Sequence, residues 1–174
     1  MEHSDSPSAV EDTEPTAEKR TDYTGAIYGS MLAASVVATA GAVGGYPRLN
    51  LALILIVTGL VFWAAHAYAR LAGERRLTGS AWSWHEIRSV AVHEWPIVEA
   101  AFLPTLAVAV SPLLGLDLTG AAWFALGVAV AQQVGWAGLG AVRASVPRRQ
   151  VALECAVNLV LGLILMAAKG AISH

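Results

Sequence analysis

The sequence predicts an all-α membrane protein: a bundle of five transmembrane helices, with a short amphipathic cytoplasmic helix between the second and third. Three observations carry this. Of 174 residues, 56% are hydrophobic and 14% charged, where a soluble domain carries about 25% charged. Five runs of about 18–22 residues hold almost no ionisable group, and each is long enough to cross roughly 30 Å of hydrocarbon as a helix. Lys and Arg are divided unequally between alternate connections, which is the pattern that sets orientation.

Residues 1–22 hold seven acidic groups and two basic ones and almost no large apolar side chain. Such a segment cannot bury enough surface to offset ordering entropy, so it reads as a disordered acidic cytoplasmic tail. Residues 23–174 form the membrane domain. The first helix, about 25–45, is rich in Gly, Ala and Val, and its one polar aromatic is Tyr28. The second, about 51–71, contains His66. Between them GGYPRLN (44–50) is a turn. The third, about 96–116, contains Glu99, with Pro96 placed for a first turn and Pro104 for a kink near 100–104. LDLTG (116–120) is the next turn. The fourth helix, about 121–142, has no charge, and the fifth, about 150–170, contains Glu154 and the lone Cys155, which reads as a small core residue.

The one long connection, 73–94, contains Ser83-Trp84-His85-Glu86. A Ser followed three residues later by Glu is a capping box, so a helix starts there and runs over about 83–94. Trp82, Trp84 and Trp95 bracket it, as aromatics do at headgroup depth. With the N-terminus inside, Lys19, Arg20, Arg70, Arg75, Arg76, Arg88, Arg143, Arg148 and Arg149 lie on the cytoplasmic side, against Arg48 and Lys169 outside. The expected location is therefore the inner or plasma membrane, multi-pass, N-terminus cytoplasmic and C-terminus outside.

HEWPIVEA (93–100) raises the functional question, because it sets His93, Glu94 and Glu99 at the mouth of an apolar helix. In this topology His66, Glu99, Glu154 and Asn158 share the cytoplasmic half of the membrane. Carboxylates below the headgroups cost a few kcal/mol and normally face the bundle interior with a partner. The expectation is a pocket open to the cytoplasm, with Glu99 and Glu154 pointing toward His66 and Asn158, and His93 and Glu94 at its rim. It would bind a cation or relay a proton. The plainer alternatives are that Glu99 snorkels or ties to Arg70, Arg88 or Arg149, and that His66 is an interhelical hydrogen bonder. His85-Glu86 and His93-Glu94 lie eight residues apart, roughly 12 Å along a helix, too far for one metal, and they read most simply as a solvated face. H-E-x-x-H is absent, and no nucleophile–base constellation points to an enzyme. Gly25-x-x-x-Gly29 and the row Gly127, Ala131, Gly135 are small-xxx-small patterns that let helices approach closely, within the bundle or between copies in a homo-oligomer.

WAAHAYARLAGERR (63–76) and HEWPIVEAAFLP (93–104) resemble segments of small integral membrane proteins of high-GC actinobacteria, which implies a fold and no activity. Five helices with an inside N-terminus, Gly73-Glu74 after the second, and RRQVALECAVNLVLGLILMAAKGAIS (148–173) are similar to the vacuolar iron transporter family. That likeness implies a divalent metal such as Mn or Fe as substrate, handled by a cytoplasmic segment between helices 2 and 3. The chain departs from the family at YGSML (28–32), which lacks the acid of its first helix, and in the short connection with only Glu74, Glu86 and Glu94. Two functions follow as expectations: a cation or proton-coupled transporter, or a non-catalytic membrane protein for partner binding or envelope assembly. No cofactor is implied, and no basic patch points to nucleic acid.

Overall fold

The computed structural model describes residues 16–40, 47–78 and 82–172. The chain is helical throughout these residues: α1 Thr16–Ala40, α2 Arg48–Thr78, α3 Trp84–His93, α4 Pro96–Val110, a 3-10 turn Ser111–Leu114, α5 Leu118–Arg143 and α6 Arg148–Ile172. Four stretches are long and apolar enough to cross a membrane: Arg48–Gly73, Trp84–Leu114, Leu118–Arg143 and Arg148–Ala171. The predicted third, fourth and fifth helices are thus α4 with its 3-10 turn, α5 and α6.

Two boundaries differ from those expected. α1 begins at Thr16, so the last seven residues assigned to the acidic tail are helical, and residues 1–15 lie outside the described ones. α2 continues past 71 to Thr78, since Leu71, Ala72 and the Glu-Arg-Arg-Leu run at 74–77 are good helix formers. Gly41 and Gly45 lie outside the described residues.

The capping chemistry read from sequence is present. Ser83 Oγ accepts from the Glu86 amide at 3.2 Å, and Glu86 Oε2 accepts from the Ser83 amide at 2.7 Å. Pro96 sits in the first turn of α4, where its missing N–H costs nothing. The helix is continuous through Pro104. It changes to 3-10 geometry only at Ser111, beside Pro112, and stops at Gly115, whose φ of +67° is a left-handed conformation natural to glycine. Asp117 then caps α5 by accepting from the Gly120 amide at 2.6 Å.

α1 packs against α2, α4, α5 and α6 and forms the centre of the bundle. It is the least apolar of the long helices because its first two turns contain Glu18, Lys19, Arg20 and Asp22, and beyond them it is rich in Ala, Gly and Val. The small residues have a packing role. Inside hydrocarbon there is little hydrophobic drive between helices, and close van der Waals contact between small residues holds them together. Ala33, Ala34, Val37 and Ala38 of α1 meet Leu51 and Leu55 of α2, Ala107 and Val108 of α4, and Ala122, Ala125, Leu126, Ala129 and Val130 of α5 in one core. α6 lies outermost: 6% of its apolar window is buried, against 39% for α5.

The glycine row expected to pack the bundle does so only in part. Gly29 lies hard against Ile97 and Ala100 of α4, and Gly25 makes ordinary contact with Ile97. Gly127 just reaches Met166, while Gly135 meets nothing and is exposed. At 3.6 residues per turn the row 127–131–135 rotates outward, beside exposed Phe124, Leu139 and Val142. α5 and α6 instead approach at Gly162, facing Val130, and at Gly138, facing Cys155 Sγ.

Candidate functional site

The strongest polar cluster lies where α3 gives way to α4. α3 ends at His93, and Glu94 and Trp95 make a two-residue turn before Pro96 opens α4. Proline cannot donate to the α3 ladder, so the helix is interrupted here by a turn, at which the Glu94 side chain is buried. Glu94 is 6% exposed, a rare burial for a carboxylate. Its Oε1 accepts a 2.8 Å hydrogen bond from Arg70 of α2, and the two form an ion pair. Its other oxygen lies on the side of Gly25 of α1, where an added Cβ would make only ordinary van der Waals contact with it.

Other groups lie near the pair on the same elements, with His66 exposed. His66 stands one turn before Arg70 on the same face of α2, and its ring packs on Tyr28 of α1 with centroids 5.2 Å apart. His93, half-buried, ends α3, where an imidazole suits the negative end of the helix dipole. Trp63 of α2 donates to the Ala91 carbonyl at 2.8 Å and meets Trp95 edge to face at 5.7 Å. Trp82 donates to the Leu71 carbonyl at 3.1 Å and meets Tyr68 edge to face. These bonds fix α3 on α2. Trp63→Phe removes the donor and part of the ring that meets Trp95, so it is expected to cost at least about 1 kcal/mol. Unfolding of the two proteins in the same micelle measures the difference.

The pocket expected from sequence is not assembled from the residues expected. Glu99 is exposed on the outward stripe of α4 that includes Phe102, Leu103 and Leu106. Glu154 is exposed on the outward stripe of α6 with Leu153, Val157 and Leu161. Both departures have one cause: the inner faces of these helices are used by small residues, Ala100, Ala101 and Ala107 on α4 and Gly162 on α6, and a carboxylate does not fit there. Asn158 does turn inward, but its partner is Gln133 of α5, whose Nε2 donates to Asn158 Oδ1 at 3.1 Å. His66 reaches Tyr28 rather than either acid. Glu94, set at the rim by sequence reasoning, is the buried acid. Among the described residues no three His, Cys, Asp or Glu side chains gather as a metal-binding group.

Sequence reasoning missed Arg70 and Tyr28 as members of the cluster and Gln133 as a buried amide. The signal for Arg70 was its place one turn beyond His66. For Glu94 it was the Trp-Pro that follows, at which the helix is interrupted. No protein family, no curated protein and no solved structure matches the chain.

Proposed function

We propose that the protein is a five-span membrane protein, with its N-terminus cytoplasmic and its C-terminus outside, that couples protons to transport through Glu94. α1 counts as the fifth span: its apolar run from Gly25 packs against α2, α4, α5 and α6. The observation that carries the reading is a carboxylate buried at the meeting point of α1, α2 and the α3–α4 turn, paired with a guanidinium that stays partly open to solvent. An intramembrane ionisable residue is a functional candidate by default, with its partner named. A proton on Glu94 removes the charge that holds Arg70, and the tie between α2 and the α3–α4 turn then loosens. His66 and Tyr28, a turn away, are the groups through which a proton would enter from the cytoplasmic side.

The set of one acid, one guanidinium, one imidazole and one phenol favours a proton over a Mn- or Fe-type cation, which would need several oxygen or nitrogen ligands together. Thermal stability against Mn, Fe, Co, Zn, Mg and Ca tests this choice in wild type and Glu94→Gln. The expected result is no metal-specific rise in Tm. A bound metal at 100 times its Kd would add about 2.7 kcal/mol. A rise of that kind, lost in Glu94→Gln, would replace the proton by a divalent metal as substrate.

A second reading, partner binding without transport, is favoured by the outward face of α3. Trp84 is 79% exposed, and Trp82, Trp95 and Val92 are exposed around it. These tryptophans suit the headgroup layer equally well. The outward row Gly127, Ala131, Gly135 is where a second copy would pack in a homo-oligomer.

A further inference from the structure

We propose that α5 holds a bound water at mid-depth in the membrane, on Gln132, Gln133 and Trp136. This inference does not depend on the proton reading. The three residues lie near the midpoint of the 26-residue α5. Gln133 is fully buried, at 0% exposure. Its Nε2 is used, donating to the Asn158 carbonyl at 3.3 Å and to Asn158 Oδ1 at 3.1 Å. Its Oε1 has no hydrogen-bond partner, nor have Gln132 Oε1 and Trp136 Nε1, and all three atoms are buried.

Such atoms are seldom left unmatched. In hydrocarbon each unsatisfied polar group costs several kcal/mol, and most buried polar side-chain atoms in proteins have a partner, ordered water included. The inventory here is two acceptors and one donor. The complement is a neutral group with two hydrogens to give and a lone pair to receive: water. It would accept from the indole N–H and donate to both amide oxygens. A metal ion or ammonium would meet the two oxygens but also the indole hydrogen, which repels it. Turning the Gln133 amide over offers no remedy, since its nitrogen already serves Asn158.

Gln132, Gln133 and Trp136 all fall within about one turn of α5. Tyr23 of α1 closes one side, its ring 5.9 Å from that of Trp136 and tilted against it. Tyr23 also accepts from Arg143, about two turns further along α5. Tyr23 and Arg143 thus lie between the site and the C-terminal end of α5.

The test is nuclear magnetic resonance on the full-length protein, labelled at its six tryptophans, in nanodiscs of deuterated lipid. Trp136→Phe identifies the Trp136 indole resonance by its loss. The expected result is a cross-peak between that indole hydrogen and water in wild type, lost in Gln132→Leu/Gln133→Leu while the other indole positions hold. Two results would overturn the proposal: no water cross-peak in wild type, or one that persists unchanged in the double variant. If the double variant does not fold, Gln132→Met removes one acceptor with little change in volume, and the wild-type spectrum alone remains decisive.

Discussion

Replacing Arg70 with alanine is expected to lower stability by about 3 kcal/mol, near the lower end for a broken buried ion pair. The lower end applies because Arg70 is partly open to solvent while Glu94 is not. The loss comes less from the missing attraction than from the Glu94 carboxylate left buried without its counter-charge. Arg70→Met combined with Glu94→Leu removes both charges and should recover most of the loss, since apolar pairs of similar volume are often as stable as a buried ion pair. Unfolding in mixed micelles of wild type, both single variants and the double variant gives the coupling directly. Single losses below about 1 kcal/mol, the scale of a surface ion pair, would show that the pair lies in effect at the surface.

Gly29→Leu is the second large effect. A Cβ at Gly29 would lie 2.8 Å from the Ile97 carbonyl oxygen and 2.8 Å from Ala100 Cβ. Neither neighbour can yield by a change of rotamer, because one is backbone and the other is a methyl fixed on a helix. α1 must therefore move away from α4, and every contact between them weakens together. Overpacking costs about 1–3 kcal/mol for small additions, and leucine at the centre of the bundle belongs at or above the upper end. Gly135→Ala is the control, since a Cβ there meets nothing. It should be neutral or stabilising by about 0.5–1 kcal/mol through helix propensity. Equal effects at the two positions would mean that α1 is not packed on α4 at Gly29.

Much of the architecture was legible because its signals are local. The Ser83–Glu86 capping box, the first-turn Pro96 and the long apolar runs act over a few residues, and each is where the pattern put it. The rotation of each helix was not legible, and the reason is physical. In a soluble helix the polar face marks the outside. In α4 and α6 both the protein-facing and the outward sides are apolar, so one glutamate in a field of Ala, Leu and Val has no visible phase. Glu99 and Glu154 were given inward positions from depth alone, and their faces are set by where Ala100, Ala107 and Gly162 must pack. Glu94 sits at the turn before Pro96, where a residue expected at the rim is the buried one. The central position of α1 was hidden for a related reason: its run from Gly25 reads as a span like the others, and nothing in it marks contact with α2, α4, α5 and α6.

Proton flux into proteoliposomes holding the purified full-length protein tests the central claim most directly, comparing wild type with Glu94→Gln, Glu99→Gln and Glu154→Gln. Glutamine keeps the size of each side chain and a hydrogen-bonding oxygen for Arg70, so folding is retained. The account predicts flux in wild type that is lost in Glu94→Gln and kept in Glu99→Gln and Glu154→Gln. Flux that survives Glu94→Gln, or that disappears with either outward-facing glutamate instead, would contradict it.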